Sequence, residues 1–199
     1  MAAQPDAMLP EGVGSAKPAV DVSSWLWPEE EVQINRVEIL QQPRLGQVMD
    51  IEERCFPPCE RLGPHLMQEQ ARLRTSGLLL AEFGATVSGY LLFSRFGASG
   101  LVTKLAVAAP FRRRGIASAL LRRGIQELEK PTRKSYLHDI QLHVDPARPE
   151  ARALYEAHGF TKQALLPAYY GDARDALLMR RIVQPTGAVK VMGGSSGSI

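Results

Sequence analysis

Leu105-Ala-Val-Ala-Ala-Pro-Phe-Arg-Arg-Arg-Gly-Ile-Ala-Ser-Ala-Leu-Leu121 joins three kinds of chain in one short run. An apolar, strand-like segment stops at Pro110. Three arginines follow at Arg112, Arg113 and Arg114. Gly115 and the small residues Ala117 and Ser118 then open an apolar-striped helix. The start of a helix leaves backbone N–H groups unpaired and carries the positive end of the helix dipole. Small side chains let an anion come close to that backbone, and guanidinium groups add bidentate phosphate donors. Basic residues in a first turn are unfavourable unless an anion offsets them. The stretch therefore predicts a pyrophosphate or polyphosphate site. A P-loop is excluded, because Gly-x-x-x-x-Gly-Lys-Ser/Thr is absent. A dinucleotide fingerprint would need a third glycine and a parallel strand-first unit. These residues alone do not separate a nucleotide from coenzyme A.

The flanking sequence has readable punctuation. Arg113 to Lys130 reads as a helix, with Ile116, Leu120, Leu121, Gly124, Ile125 and Leu128 on one face. Tyr136 to Val144 reads as a strand. Ile140, Leu142 and Val144 point one way, and Asp139, Gln141 and His143 the other. Upstream, strands are expected at Val37–Leu40, Leu78–Phe83, Val87–Phe96 and Leu101–Ala108, with turns at Gly84 and Gly97. Helices are expected at Pro43–Arg54 and Pro64–Thr75, separated by the breaker Phe56-Pro57-Pro58. Downstream, Pro149–His158 is a short helix closed by Gly159. Phe160–Leu166 and Ala176–Ile182 form a last strand pair around Tyr169-Tyr170-Gly171. The order β-α-α-β-β-β-α-β-α-β-β predicts an α+β (mixed α/β) single domain. Its central sheet, of about six to seven strands, is largely antiparallel and carries about four helices. A doubly wound fold would alternate strand and helix throughout.

Composition bounds the rest. The chain has 199 residues, 45% hydrophobic and 23% charged, with 24 Lys+Arg against 21 Asp+Glu. That length suits one domain with a core of its own, and a net charge of +3 is too mild for a dedicated nucleic-acid binder. Cys55 and Cys59 make no disulfide framework and cannot alone hold zinc, so two reduced thiols and no metal are expected. No apolar run reaches the ~18 residues of a membrane span. Residues 1–32 read as a flexible arm around Trp25-Leu26-Trp27, 33–185 as the domain and 186–199 as a Gly/Ser-rich tail. A cytoplasmic protein is expected, with plastid or nuclear placement left open.

The pattern Arg112-x-x-Gly115-x-Ala117 after a strand resembles the acetyl-CoA motif of the GNAT N-acetyltransferase superfamily, and the element order matches that fold. The resemblance covers roughly 36–183. It narrows through Leu154-Tyr155-x-x-x-Gly159-Phe160, Tyr169-Tyr170, Asp175-Ala-x-x-Met179 and Cys55-Phe56-Pro57. These are similar to the branch that acetylates protein N-terminal α-amines, including the ribosomal-protein alanine acetyltransferases. The resemblance implies acetyl-CoA as co-substrate. It would be held by strand backbone at Leu105, Ala106 and Val107 and by the turn Arg112, Arg113, Arg114, Gly115, Ile116, Ala117 and Ser118. It implies Tyr155 as the acid for the departing thiolate and His143 as a base. It also implies an acceptor pocket of Phe56, Pro57, Tyr169 and Tyr170. The family's frequent cofactor-contacting asparagine is Arg148 here, and a tyrosine some members carry on the preceding strand falls at Leu101.

The acceptor class implied by the resemblance, an α-amine, also has the lower proton cost. Neutralising an α-amine at pH 7 costs about 1.1 kcal/mol, against about 4.6 kcal/mol for a lysine. A modest base therefore suffices for an N-terminus. The expected activity is acetyl transfer to a protein or peptide α-amine by direct attack on the thioester. The alternatives are a lysine, polyamine or arylalkylamine acceptor, or a non-catalytic acyl-CoA or RNA-binding module. Neither nucleic acid nor membrane is an expected partner, and there is room for an auxiliary subunit. His65, His138 and His158 are expected to be surface or locally hydrogen-bonded residues.

Overall fold

Leu78-Leu79-Leu80 is apolar on consecutive residues, a pattern that suits a strand covered on both faces. The computed structural model, which describes residues 32–131, 136–171 and 174–184, bears this out. Leu79 and Ala81 pack into one apolar cluster, while Leu78 and Leu80 pack into a second on the opposite face. The elements in chain order are β1 (Gln33–Val37), α1 (Arg44–Cys55), α2 (Pro64–Arg72), β2 (Ser76–Phe83), β3 (Thr86–Phe96) and β4 (Ser99–Val107). They continue with α3 (Ile116–Glu129), β5 (Asp139–Val144), α4 (Pro149–Ala157), β6 (Thr161–Leu166) and β7 (Ala176–Ile182). The seven strands form one sheet in the order β1-β2-β3-β4-β5-β7-β6, antiparallel except for the parallel β4–β5 pair. The mixed, largely antiparallel sheet expected from the sequence is thus observed.

Helices α1 and α2 cover one face through Leu45, Val48, Ile51, Met67 and Ala71. On the other face α3 packs Ile116, Leu120, Leu121, Ile125 and Leu128 beside Tyr155 of α4. A Cβ on Gly124 would stand 2.7 Å from Leu91 Cδ2, so this glycine lets α3 seat closely on β3.

Several boundaries differ from expectation, among them the end of α2 at Arg72 rather than Thr75 and the starts of β2 at Ser76 and β4 at Ser99. The first strand is Gln33–Val37 rather than Val37–Leu40. It pairs antiparallel with Glu82–Leu78 as an edge strand whose polar residues face solvent, so hydropathy does not mark it. Leu40, beyond it, is a loop residue plugged into the core. Helix α3 starts at Ile116, not Arg113, because Arg113 (φ 61°) and Gly115 (φ 76°) are left-handed. Strand β5 starts at Asp139, where pairing with Ser99 and Ile182 begins. The expected arm (Val32 apart), the tail and the Trp25–Trp27 segment lie outside the described residues. Among the described residues no helix is long and apolar enough to cross a membrane, and both cysteines are free thiols.

Candidate active site

A slip in one strand ladder opens the site. Between Phe93↔Val102 and Leu92↔Lys104 the β3–β4 register shifts, leaving Thr103 as an extra residue on β4. A bulge bends the strand that carries it. Up to Val102, β4 pairs with β5. Past it, β4 stays with β3, while His143 and Val144 of β5 continue on β7. The parting strands leave a cleft of about 300 Å³. Thr103, Lys104 and Leu105 line one wall and His143, Val144 and Asp145 the other. Phe56, Glu60, Arg148, Tyr155, Tyr169 and Tyr170 close it.

The arginine turn follows at the end of β4, outside this lining. Its first intrahelical bond runs from Ala119 N–H to Gly115 C=O at 2.9 Å. The amides of Ile116, Ala117 and Ser118 therefore have no carbonyl partner within the helix. No side chain caps this end and no acid sits in its first turn, so it keeps the positive potential of an anion site. Not every expected side chain is free for phosphate. Arg112 donates to Val107 O at 3.0 Å and to Cys55 Sγ at 3.2 Å, bracing the turn against α1. Ser118 Oγ lies 2.8 Å from His158 Nε2, which makes His158 the locally bonded residue expected. Ala106 is buried in the α1-side cluster, and Val107 O is already taken by Arg112.

On the other wall, His143 stacks on Tyr169 at 4.5 Å between ring centroids, with the phenol oxygen 3.3 Å from Nδ1. Burial lowers the His143 pKa below its usual 6.5. The ring is thus neutral at pH 7, with one bare nitrogen able to take a proton. Tyr169 meets Tyr170 edge-on at 5.0 Å. Tyr155 is buried against Phe160. Burial pushes its pKa up to about 12, with Arg148 opposing, so the phenol holds its proton. Arg148 precedes α4 and lies two turns before Tyr155 on the same helix face, with Ala151 between. Pro57 is the one expected pocket residue that does not line the cleft.

The sequence reading missed the floor. Lys104 Nζ lies 2.8 Å from Glu52 Oε2, donates to Glu60 O at 2.5 Å and sits 3.8 Å from the Phe56 ring centroid. Burial lowers the Lys104 pKa, against the pull of Glu52 and Glu60. Glu52 is itself buried and also accepts from Tyr90 O–H and Leu62 N–H. The available signals were a lone lysine inside an apolar strand and a glutamate on the apolar face of α1. Among the described residues no group of His, Cys, Asp and Glu could hold a metal.

The chain that folds this way, with parted strands leading to an uncapped helix start, matches the Acetyltransferase (GNAT) family over residues 45–160. The chain belongs to that family. It is 37% identical over 82 residues to an N-alpha-acetyltransferase of Saccharolobus solfataricus, covering 41% of this chain and 47% of that protein. The match thus spans about half of that relative's length. It is 26% identical over 147 residues to an N-alpha-acetyltransferase of Sulfurisphaera tokodaii, covering 68% of this chain and 85% of that protein. The fold is similar to the ribosomal-protein-S18-alanine N-acetyltransferase of Escherichia coli. The TM-score is 0.65 at 21% identity, over 79% of this chain and 97% of that one.

Proposed function

We propose that this protein transfers the acetyl group of acetyl-CoA to the N-terminal α-amine of a protein or peptide. The observation that carries the reading is the cleft between β4 and β5, which pairs a neutral His143 with a fully protonated Tyr155. Acetyl-CoA would lay its pyrophosphate on the amides of the 112–118 turn and its pantetheine along the unpaired edge of β4. Leu105 supplies that edge, while the Val107 carbonyl is committed to Arg112 and Ala106 pairs with Tyr90 on β3.

The acceptor amine attacks the thioester carbonyl, and His143 takes the ammonium proton directly or through a water. The tetrahedral intermediate then collapses. The C–S bond breaks and Tyr155 lends its proton to the departing thiolate. A neutral imidazole matches an amine of pKa near 8 better than one near 10.4. Phe56 with Tyr169 and Tyr170 would shape the site of the first acceptor residue, Pro57 acting only by shaping the chain behind Phe56. The names of the archaeal relatives support the α-amine over a lysine or polyamine. Two free thiols fit a reducing, cytoplasmic setting.

The test is acetylation of a peptide library with acetyl-CoA, read by mass spectrometry alongside calorimetry of acetyl-CoA. Label on α-amines, with lysines untouched, is the expected outcome. Heat without turnover on any amine would leave a binding module, and labelled lysines or polyamines would move the acceptor class.

A further inference from the structure

Three separate pieces of chain meet at the acceptor end of the cleft: the 3-10 turn Pro58–Glu60 after α1, the residues just past β5, and the loop between β6 and β7 that carries Tyr169 and Tyr170. One guanidinium joins them. Arg174 Nη2 is 2.7 Å from Glu60 Oε1 and 2.9 Å from Asp145 Oδ2. The same guanidinium lies 5.3 Å from the Tyr170 ring centroid. Its backbone is tied in as well, since Tyr170 N–H donates to Arg174 O at 3.0 Å and Arg174 N–H to Gly171 O at 2.8 Å.

We propose that Arg174 is a positioning residue, a bracket holding the Tyr169–Tyr170 loop against Glu60 and Asp145 so that the acceptor meets a preformed pocket. This rests on the acetyl-transfer reading above and adds a residue that touches neither thioester nor amine.

Two physical points favour a bracket over an ordinary surface pair. The carboxylates of Glu60 and Asp145 are only 12% and 18% exposed, so loss of their shared cation leaves them poorly solvated. Both reach one nitrogen, so they face each other closely. Without Arg174, the remaining cations are Arg148, 4.0 Å from Glu60, and Lys104, which is already committed to Glu52, so the two like charges lose the one cation that contacts both. Their repulsion would drive apart the loops that the bracket draws together. The Asp145 carboxylate is held below its usual range chiefly by the Arg174 hydrogen bond, which fits an ion pair that is made rather than merely near. Asp145 is in turn fixed by Ala147 N–H at 2.8 Å, so the bracket ends on anchored chain.

The experiment compares the full-length protein with Arg174→Gln and Arg174→Lys. It reads amide exchange at residues 168–171 and 59–62, and steady-state constants for a good peptide. The bracket predicts faster exchange at both segments in Arg174→Gln. It predicts a peptide KM raised about fivefold, the size of two partly exposed ion pairs, with kcat and acetyl-CoA KM within twofold. Arg174→Lys should recover most of the loss. Glu60→Gln cuts the bracket from the other side and should raise peptide KM in the same way if Arg174→Gln fails to fold. Unchanged exchange, or an unchanged peptide KM, overturns the proposal. If the unaltered protein acetylates no peptide, the α-amine reading falls, while the exchange comparison still decides whether Arg174 brackets the loops.

Discussion

The arginine turn and the cleft beside it are built from different materials. The arginine turn is a backbone structure, with left-handed residues at Arg113 and Gly115, an uncapped helix start, and Arg112 turned inward as a brace. The cleft and its supports are made of side chains from distant segments: Glu52 and Phe56 from α1 and its end, Lys104 from β4, His143 from β5, Tyr155 from α4, and Tyr169 and Arg174 beside β7. A backbone site is encoded locally and tolerates many side chains. A side-chain site needs the whole sheet assembled before any of it exists, and it is open to change one residue at a time.

That contrast can be pressed hardest at Tyr155. Tyr155→Phe should lower kcat by about 10²- to 10⁴-fold, the range of a lost general acid, while calorimetry finds acetyl-CoA affinity within twofold. A matching loss of affinity would break the separation of turn and cleft. Next in size is Lys104→Met, which strands the buried Glu52 carboxylate. Breaking a buried pair costs about 3 kcal/mol, to be read by denaturant melts, and Lys104→Met with Glu52→Gln, which removes the stranded charge but keeps an acceptor for Tyr90 O–H, should recover most of it. His143→Gln should slow peptide acetylation only about sevenfold at pH 7, because that is the whole cost of deprotonating an α-amine. In the unaltered protein kcat should fall as pH drops below 6.5, where a histidine with a depressed pKa starts to protonate. In His143→Gln that limb should move up toward the α-amine's own pKa near 8. The smallest effect is expected at Gly115→Ala, where a Cβ in a left-handed conformation costs about 1 kcal/mol. It should weaken acetyl-CoA binding about fivefold and leave peptide KM unchanged.

The same contrast explains what the sequence made legible. The strand–arginine–glycine–helix run declares itself because its anion chemistry is local, and β2, β3 and α3 show through their hydropathy. The parity of Ile140, Leu142 and Val144 placed His143 on the polar face before any fold was known. Strand β1 was misplaced because an edge strand buries little. The Lys104–Glu52 pair could not be paired by reading, since the partners lie on different layers and meet only through the sheet. Nothing in the sequence around Arg174 marks it, because its two carboxylates come from turns after α1 and β5.

Tyr155 is also a member of the main apolar cluster, wedged beside Phe160 and the α3 stripe. The group proposed to release the coenzyme's sulfur is therefore a structural brick as well as a reagent. Heat or a cavity that loosens this layer would let water reach the phenol before the molecule melts. Turnover would then fade ahead of unfolding, and the chemistry would serve as an early gauge of how tightly the interior is shut.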